Sequence, residues 1–223
     1  MALIEKYKER LVNPNYIGYG YVNLNEDVKN LLIENVYEVS FNSLYASLLI
    51  NLYNDGILDK FQIEVKKEII DKVEYFLNNR TLLKYTIEYQ NYKVWINSLY
   101  NNELRECAGL LINLYGQYMT MYYEDILKEN KYNWLYIDTD VMYFTASDDN
   151  KLPIIPDLFS DKIMVNYDKV QLIAFQGKKR YVQYKGGEII LKGLRKNRHH
   201  DIVSIMKTKI RERRIDEVLN DCA

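Results

Sequence analysis

The sequence predicts an α+β fold in which helices cover an antiparallel sheet. Strand-like and helix-like segments are mixed along the chain without the regular alternation of a parallel sheet. The Lys-Gly-Gly stretch at 185–187 lies between two apolar runs and predicts a tight turn, which joins antiparallel neighbours. A length of 223 residues, with 48% hydrophobic residues and three prolines, allows one ordered domain with a sizeable core.

The first half of the chain passes from predicted strands to predicted helices. The glycine-kinked stretch 15–22 and the alternating stretch 35–41 are typical of strands, and the spacing then becomes helical, with Asn42 or Ser43 as the expected N-cap. The break at 54–58 ends this first helix. Three more helices are predicted over 62–84, 90–103 and 104–130.

The second half of the chain returns to strands. The run 133–144 predicts a strand pair whose tip is Asp138-Thr139-Asp140, and a loop that contains prolines follows at 150–157. The remaining predicted elements are strands over 163–167, 170–175, 180–184 and 188–191 and a helix over 199–220.

Composition narrows the possible functions. The net charge is −1, from 30 Lys and Arg against 31 Asp and Glu, so the whole chain lacks the basic charge of many nucleic-acid-binding proteins. The cations concentrate in 178–214, which indicates either a phosphate-binding end or a solvated helix face. The chain has two histidines, His199 and His200, which argues against a His-based metal site and a Ser-His triad.

The cysteine and hydropathy patterns predict a cytoplasmic location. Cys107 and Cys222 are far apart and have no metal or redox spacing, which is typical of a reducing compartment. No apolar stretch reaches membrane-spanning length, and the first residues have no signal-peptide core. We therefore expect no membrane association.

Two carboxylates interrupt the apolar and aromatic run YIDTDVMYF at 136–144. Asp138 and Asp140 are two residues apart, and side chains with this spacing share one face of a strand. Carboxylates held this close repel each other unless a cation lies between them, and hard oxygen ligands suit Mg²⁺. The alternative is a turn in which the aspartates cap backbone amides.

Two further patterns suit a ligand that carries phosphates. The strand-to-helix junction VSFNSLYASLL, at 39–49, presents free backbone N–H groups at a positive helix end. In the predicted helical hairpin, side chains share a face through spacings of three or four residues. These side chains are Arg80 and Lys84 on the first helix and Lys93, Asn97 and Tyr100 on the second. Antiparallel packing would bring them together around a triphosphate, and otherwise they form two solvated faces.

Taken in order, these segments resemble the catalytic core of family B DNA polymerases. The stretch GYVNLN…ENVYEVSFNSLYASLL is similar to the motif A region, a strand leading into D-x-x-S-L-Y-P-S. RTLLK resembles the first fingers helix with its R-x-x-x-K pair, and KVWINSLYN resembles motif B, K-x-x-x-N-S-x-Y-G. YIDTDV resembles motif C, Y-x-D-T-D-S. KKRYVQYKGGEIILKGL is similar to the primer-binding K-K-x-Y segment followed by the start of the thumb.

The resemblance implies a fold and an activity. The fold would be an antiparallel palm sheet with packed helices and a two-helix fingers insertion. Its divisions would be palm at 1–53, fingers at 54–103, palm at 104–190 and the start of the thumb at 191–223. The activity would be nucleotidyl transfer from a dNTP to primer–template DNA, with two Mg²⁺ ions.

The same resemblance implies a role for individual residues. Asp140 would be the main metal ligand and Asp138 its partner, and the two would form the catalytic pair. Tyr45 would pack under the sugar, and Asn97 would buttress the nucleotide pocket. The triphosphate would be held by Arg80, Lys84 and Lys93. The primer strand would be bound by Lys178, Lys179, Arg180 and Tyr181.

Departures from the family pattern cluster around the expected metal site. The motif A acid is replaced by Ser40, whose hydroxyl is neither charged nor a good magnesium ligand. Glu38 faces the same side of the strand, but about 6–7 Å away at a rise of about 3.3 Å per residue. Ala46 replaces the expected proline and Val141 the expected serine. This pattern predicts retained binding with weakened or lost catalysis.

The extent of the resemblance leads to two alternative expectations. The motifs begin close to residue 1, without the N-terminal and exonuclease-type domains of the family. We expect either a protein partner that carries those domains, as in a split polymerase encoded by a phage or virus, or a catalytically silent polymerase-like scaffold that binds DNA or a replication protein.

Overall fold

The computed structural model describes residues 6, 16–17, 20–101, 104, 108–146, 152–154, 156–159, 163–194 and 200–221. At 16–17, 97, 100–101, 200 and 215–221 only the backbone is described. Cys107, His199 and Cys222, part of the predicted loop 150–157 and part of the predicted strand 15–22 lie outside the described residues.

An antiparallel sheet forms the centre of the fold. Its strands are β1 Tyr16–Ile17, β2 Gly20–Leu24, β3 Leu32–Phe41, β4 Asn133–Asp138, β5 Val141–Thr145, β6 Val165–Gly177, β7 Arg180–Lys185 and β8 Glu188–Lys192. The seven longer strands lie in the order β2-β4-β5-β3-β6-β7-β8, and β1 pairs with β2 at one edge. Every pairing between these strands is antiparallel. The turn between β7 and β8 contains Gly186 and Gly187, both with positive φ, as the sequence predicted.

Six described helices pack around the sheet or extend from it. They are α1 Leu44–Asn54, α2 Ile57–Lys60, α3 Lys67–Leu83, α4 Ile87–Asn101, α5 Ala108–Glu129 and α6 His200–Asp221. Helices α1 and α5 pack against each other, and α5 also contacts β2 and β4. Helices α3 and α4 form a hairpin between α1 and α5 in the sequence. The structure confirms the predicted α+β class with its antiparallel sheet and packed helices.

The side chains of strand β3 alternate between the two faces of the sheet. Tyr37, Val39 and Phe41 belong to the large core, which also contains buried residues of α1 and α5. Because side chains alternate along a strand, Glu38 and Ser40 point to the opposite face. That face carries the candidate site, and we call it the front face.

A cluster of four aromatic rings lies on the front face. Tyr136, Tyr143, Phe175 and Tyr181 come from four strands, and their ring centroids lie 5.1–6.1 Å apart. All four side chains are buried. This four-ring cluster connects the β4–β5 hairpin with the β6–β7 hairpin. The turns of the two hairpins are therefore held in place by the same packed side chains.

Strand β6 differs from the prediction. The sequence predicted separate strands over 163–167 and 170–175, because Asp168 and Lys169 interrupt the apolar pattern, whereas the structure has one continuous strand. Lys185 Nζ lies 2.8 Å from Asp168 Oδ2, and Lys169 Nζ lies 5.4 Å from the Tyr37 ring centroid. Contacts with other strands therefore accommodate both charges within the sheet.

The last helix, α6, packs on a smaller cluster of its own. Its residues Met206 and Ile210 belong to a cluster with Leu172 and Val182 of the sheet. Arg213 Nη2 lies 2.6 Å from Glu34 Oε2.

The proposed division of the chain into palm, fingers and thumb stays a prediction. Within the described part of the chain, no helix has the length and hydrophobicity needed to cross a membrane.

Candidate functional site

The turn between β4 and β5 carries the two predicted carboxylates. Asp138 is the last residue of β4, and Thr139, with φ of 60°, and Asp140 form the turn. Backbone hydrogen bonds connect this turn to two other strands: Thr139 N–H donates to Tyr21 O at 2.8 Å, and Phe41 N–H donates to Asp140 O at 2.9 Å. The second bond places the end of β3 directly beside the turn. We call residues 138–140 the carboxylate turn.

Three groups contact the carboxylate of Asp138. The Tyr136 hydroxyl donates to Oδ2 at 3.2 Å, and the Thr139 hydroxyl donates to Oδ1 at 3.2 Å. Lys179 Nζ lies 3.7 Å from Oδ1. The Asp138 side chain is therefore held between its own hairpin and a lysine from the β6–β7 turn.

Asp140, the other carboxylate of the turn, is half-buried. Burial raises the pKa of its carboxyl above the usual value, and the negative charge of Asp138 raises it further. Lys192 and Lys179 shift the same pKa in the opposite direction. Burial also raises the pKa of the Tyr45 phenol, with further contributions from the charges of Asp140 and Asp138. Tyr45 is thus near both carboxylates and stays protonated around neutral pH.

Ser40 lies where the resemblance predicts the motif A acid. Ser40 pairs with Val141 of β5, next to the carboxylate turn. Glu38, the other acid on this face of β3, is directed elsewhere: Lys185 Nζ donates to its Oε1 at 2.9 Å. Glu38 therefore has a cation of the chain's own beside it and does not replace the missing carboxylate.

These groups fit one magnesium ion better than two. The described residues contain no group of three or more His, Cys, Asp and Glu side chains placed to hold a metal ion. Magnesium needs only one or two protein carboxylates when water and substrate phosphates supply the other ligands. Asp140 and Asp138 are two carboxylates in one turn, so they would suit a single ion whose other ligands are water and phosphate.

A pocket of about 260 Å³ connects the carboxylate turn with the helical hairpin. Its lining includes Asp140 and Tyr45, together with Arg80 of α3 and Lys93 of α4. The N-terminal turn of α1 also lines the pocket through Ser43, Leu44, Tyr45 and Ala46. Helix N-termini present unpaired N–H groups and positive charge. The pocket thus contains two cations, a helix N-terminus and a carboxylate.

The N-cap of α1 differs in detail from the expectation. Ser43 is the N-cap, but its φ of 49° is left-handed and its hydroxyl makes no capping hydrogen bond. The hydroxyl instead accepts a hydrogen bond from Arg80 Nη1 at 2.8 Å. This bond holds the Arg80 guanidinium at the start of α1.

Two of the predicted nucleotide-binding residues are not placed in this pocket by the described side chains. Lys84 follows the last residue of α3 and is exposed, and its Nζ lies 5.2 Å from the centroid of the neighbouring Tyr85 ring. It does not line the pocket. Asn97 lies on α4 with Lys93, but its side chain is outside the described part of the chain. The assigned roles of both residues stay predictions.

The β6–β7 turn carries the predicted primer-binding residues. Lys178 and Lys179 form the turn between Gly177 and Arg180, and Lys179 has a φ of 59°. The Arg180 side chain is exposed and folds over Gly177, where an added Cβ would lie 3.1 Å from Arg180 Nη2. Tyr181 is 6% exposed and belongs to the four-ring cluster. We call residues 178–179 the lysine turn.

Sequence reasoning did not identify the link between the two turns. Lys179 N–H donates to the Tyr136 hydroxyl at 2.7 Å, and the same hydroxyl contacts Asp138. The available signal was the spacing of Tyr136 and Asp138, because residues two apart in a strand share a face. The contact with Lys179 joins residues 43 apart and has no local signal.

Gly193 packs closely against the backbone of the lysine turn. Its φ is +61°, and an added Cβ would overlap the carbonyl oxygen of Lys179. We expect Gly193→Ala to lower the free energy of unfolding by roughly 2 kcal/mol more than Gly186→Ala does. Gly186 is the matched control, since its φ is +60° and no atom lies within 4 Å of the added Cβ. Urea denaturation of both variants measures the difference, and equal losses of stability would contradict the close packing.

Comparison with known proteins gives structural matches only. No protein-family model and no curated protein matches the sequence. Phi29 DNA polymerase complexed with primer–template DNA matches with a TM-score of 0.52 and 13% identity, over 85% of this chain and 56% of that one. The same polymerase complexed with single-stranded DNA matches with a TM-score of 0.54 and 13% identity, over 85% and 55%.

A further match has a lower TM-score. The family B DNA polymerase from the archaeon Pyrobaculum calidifontis gives a TM-score of 0.40 at 14% identity, over 86% of this chain and 32% of that one, which is too low to support an assignment. The chain spans just over half the length of Phi29 DNA polymerase. At these identities the matches concern the fold alone. Over most of its length, the fold of this chain resembles part of the family B DNA polymerases, such as that of Phi29.

Proposed function

We propose that this chain forms the palm and fingers of a family B-like DNA polymerase, which binds primer–template DNA and a dNTP for nucleotidyl transfer. One observation carries the proposal. A single pocket brings together Arg80 and Lys93 from the helical hairpin, Tyr45 from α1 and Asp140 from the carboxylate turn. Cations and a carboxylate in one pocket suit a nucleoside triphosphate that binds with a divalent cation.

The proposed arrangement assigns one part of the substrate to each group. Arg80, Lys93 and the N-terminus of α1 would bind the triphosphate, because all three present positive charge or free donors to the same pocket. Tyr45 would pack against the sugar, beside Asp140. The lysine turn would bind phosphates of the primer strand. Its link to the carboxylate turn would place the primer end close to the nucleotide.

Magnesium is part of this proposal. An ion bound by Asp140 and Asp138 would supply positive charge for the phosphates of the nucleotide. The chain's own cations perform the remaining electrostatic work: Arg80 and Lys93 face the nucleotide pocket, and Lys179 and Lys192 are near enough to lower the pKa of Asp140.

A second candidate function is a catalytically silent module that retains DNA and nucleotide binding. Ser40 supports it, because a hydroxyl lies where the family pattern has a carboxylate. The contact between Glu38 and Lys185 supports it further, since it pairs the nearest alternative acid on β3. The two candidates predict the same binding and differ in nucleotidyl transfer, so an incorporation assay separates them.

Nucleotide binding tests the feature that both candidates share. We expect Lys93→Ala to weaken dNTP binding by about tenfold or more, because a charge-assisted contact contributes roughly 1.5–3 kcal/mol. Lys66→Ala is the matched control, since Lys66 is exposed at the start of α3 and does not line the pocket. Isothermal titration with a dNTP and Mg²⁺ measures both variants. Equal affinities for the two would remove the pocket from the proposal.

Primer extension tests the proposed activity itself. The assay compares the chain alone with the chain plus proteins that co-purify with it, because the sequence predicts a partner with exonuclease-type domains. Extension that depends on such a partner would support the split polymerase. A chain that binds dNTP and DNA but extends no primer with any co-purified protein would favour the silent module.

A further inference from the structure

Lys179 belongs to the lysine turn, and its side chain also reaches the carboxylate turn. The ammonium of Lys179 lies 3.7 Å from Asp138 Oδ1, and the side chains of Lys179 and Asp138 are 48% and 25% exposed. A pair that is open to water at this distance is weak and exchangeable. Lys179 can therefore leave Asp138 for another anion without unfolding the turn.

A buried hydroxyl keeps the lysine turn beside Asp138 whether or not that ion pair forms. The Tyr136 side chain is fully buried, and its hydroxyl has one proton, which it donates to Asp138 Oδ2. The lone pairs of the same oxygen then accept the backbone N–H of Lys179. Asp138 thus contacts Lys179 twice, directly at the ammonium and through Tyr136 at the backbone.

We propose that Asp138 and Tyr136 are positioning residues for the DNA contact of the lysine turn. Asp138 competes with a DNA phosphate for the ammonium of Lys179, and Tyr136 fixes the turn from which that ammonium extends. This inference rests on the proposed function, because it requires that the chain bind DNA. It adds that Asp138 and Tyr136 change the affinity for DNA through Lys179, even without a metal ion or a nucleotide.

A double-mutant cycle distinguishes this competition from general electrostatic repulsion. Asp138→Asn removes the competing charge, so we expect affinity for a fluorescently labelled primer–template duplex, without divalent cations, to rise about threefold. In a Lys179→Gln background the same change should have almost no effect, because the shared ammonium is gone. In a Lys178→Gln background, with the neighbouring lysine of the same turn removed, the threefold rise should persist.

Tyr136→Phe tests the second half of the proposal. Phenylalanine retains the ring but leaves the N–H of Lys179 and one oxygen of Asp138 without this partner, so we expect DNA affinity to fall about fivefold. Tyr143→Phe is the matched control. It removes a buried hydroxyl from the same cluster, whose partners are Tyr181, Gln183 and Glu38 and not Asp138 or the lysine turn. It should destabilise the fold without changing DNA affinity.

The outcomes separate this inference from the proposed function. If the unchanged chain binds no primer–template duplex, the proposed function fails and this inference fails with it. If the chain binds DNA but Asp138→Asn raises the affinity equally in both lysine backgrounds, the competition is wrong and the proposed function stands. If Tyr136→Phe and Tyr143→Phe change DNA affinity equally, the Tyr136 hydroxyl has only a structural role.

Discussion

Replacing Ser40 with Asp is expected to create or strongly raise magnesium-dependent nucleotide incorporation. Ser40 pairs with Val141, and the N–H of the next residue, Phe41, donates to Asp140 O. A carboxylate at position 40 would therefore join the carboxylate turn and complete the acid set of the family. Metal-ion stabilisation of the transferring phosphate contributes several kcal/mol, so we expect a rise on the order of a hundredfold or more. Single-nucleotide primer extension measures it.

Ser40→Asn is the matched control for this prediction. Asparagine has nearly the size of aspartate but no charge, so it should leave incorporation at the level of the unchanged chain. If the unchanged chain already incorporates nucleotides as fast as Ser40→Asp, Ser40 does not limit the rate of incorporation. A folded Ser40→Asp variant that binds DNA and dNTP but remains inactive would favour the silent module.

Neutralising the lysine turn is expected to weaken DNA binding and its dependence on salt. Lys178 and Lys179 would contact phosphates, which carry no sequence information, so the loss should be the same for every DNA sequence. Changing both to alanine should reduce the slope of log affinity against log salt by roughly two units, at about 0.9 per phosphate contact. Filter binding at several salt concentrations measures this slope.

A second double variant provides the control for charge alone. Lys60 and Lys66 are both exposed, on α2 and at the start of α3, and lie outside the front face. Their replacement by alanine changes the net charge by the same amount and should leave the slope nearly unaltered. If both double variants reduce the slope equally, the lysine turn has no special contact with DNA.

Local patterns predicted the element types well, but not how distant elements pair. The turn at Asp138-Thr139-Asp140 followed from two acids in an apolar run, and the structure places it where the sequence did. Strand β6 was divided in the prediction because Asp168 and Lys169 are polar. The contact of Asp168 with Lys185 joins residues 17 apart, and a pattern within one strand carries no information about such a partner.

The candidate site was predictable in its residue types but not in its geometry. A spacing of four predicted Arg80 and Lys84 on one helix face. Lys84 directly follows the last residue of α3, is exposed, and does not line the pocket that Arg80 lines. The spacing alone carries no information about the direction in which a long exposed side chain extends. Glu38 was considered as a replacement acid from its strand position alone. Its contact with Lys185, 147 residues away, could come only from the fold.

The central position of β3 has a kinetic consequence. Its neighbours in the sheet are β5 and β6, which begin about a hundred residues or more after β3 ends. At a synthesis rate of about 5–20 residues per second, both edges of β3 wait on the order of 5–20 seconds for a partner on the ribosome. Unpaired apolar strands are sites of aggregation. We therefore expect fragments that end before β5 to be less soluble than the whole chain when each is expressed alone.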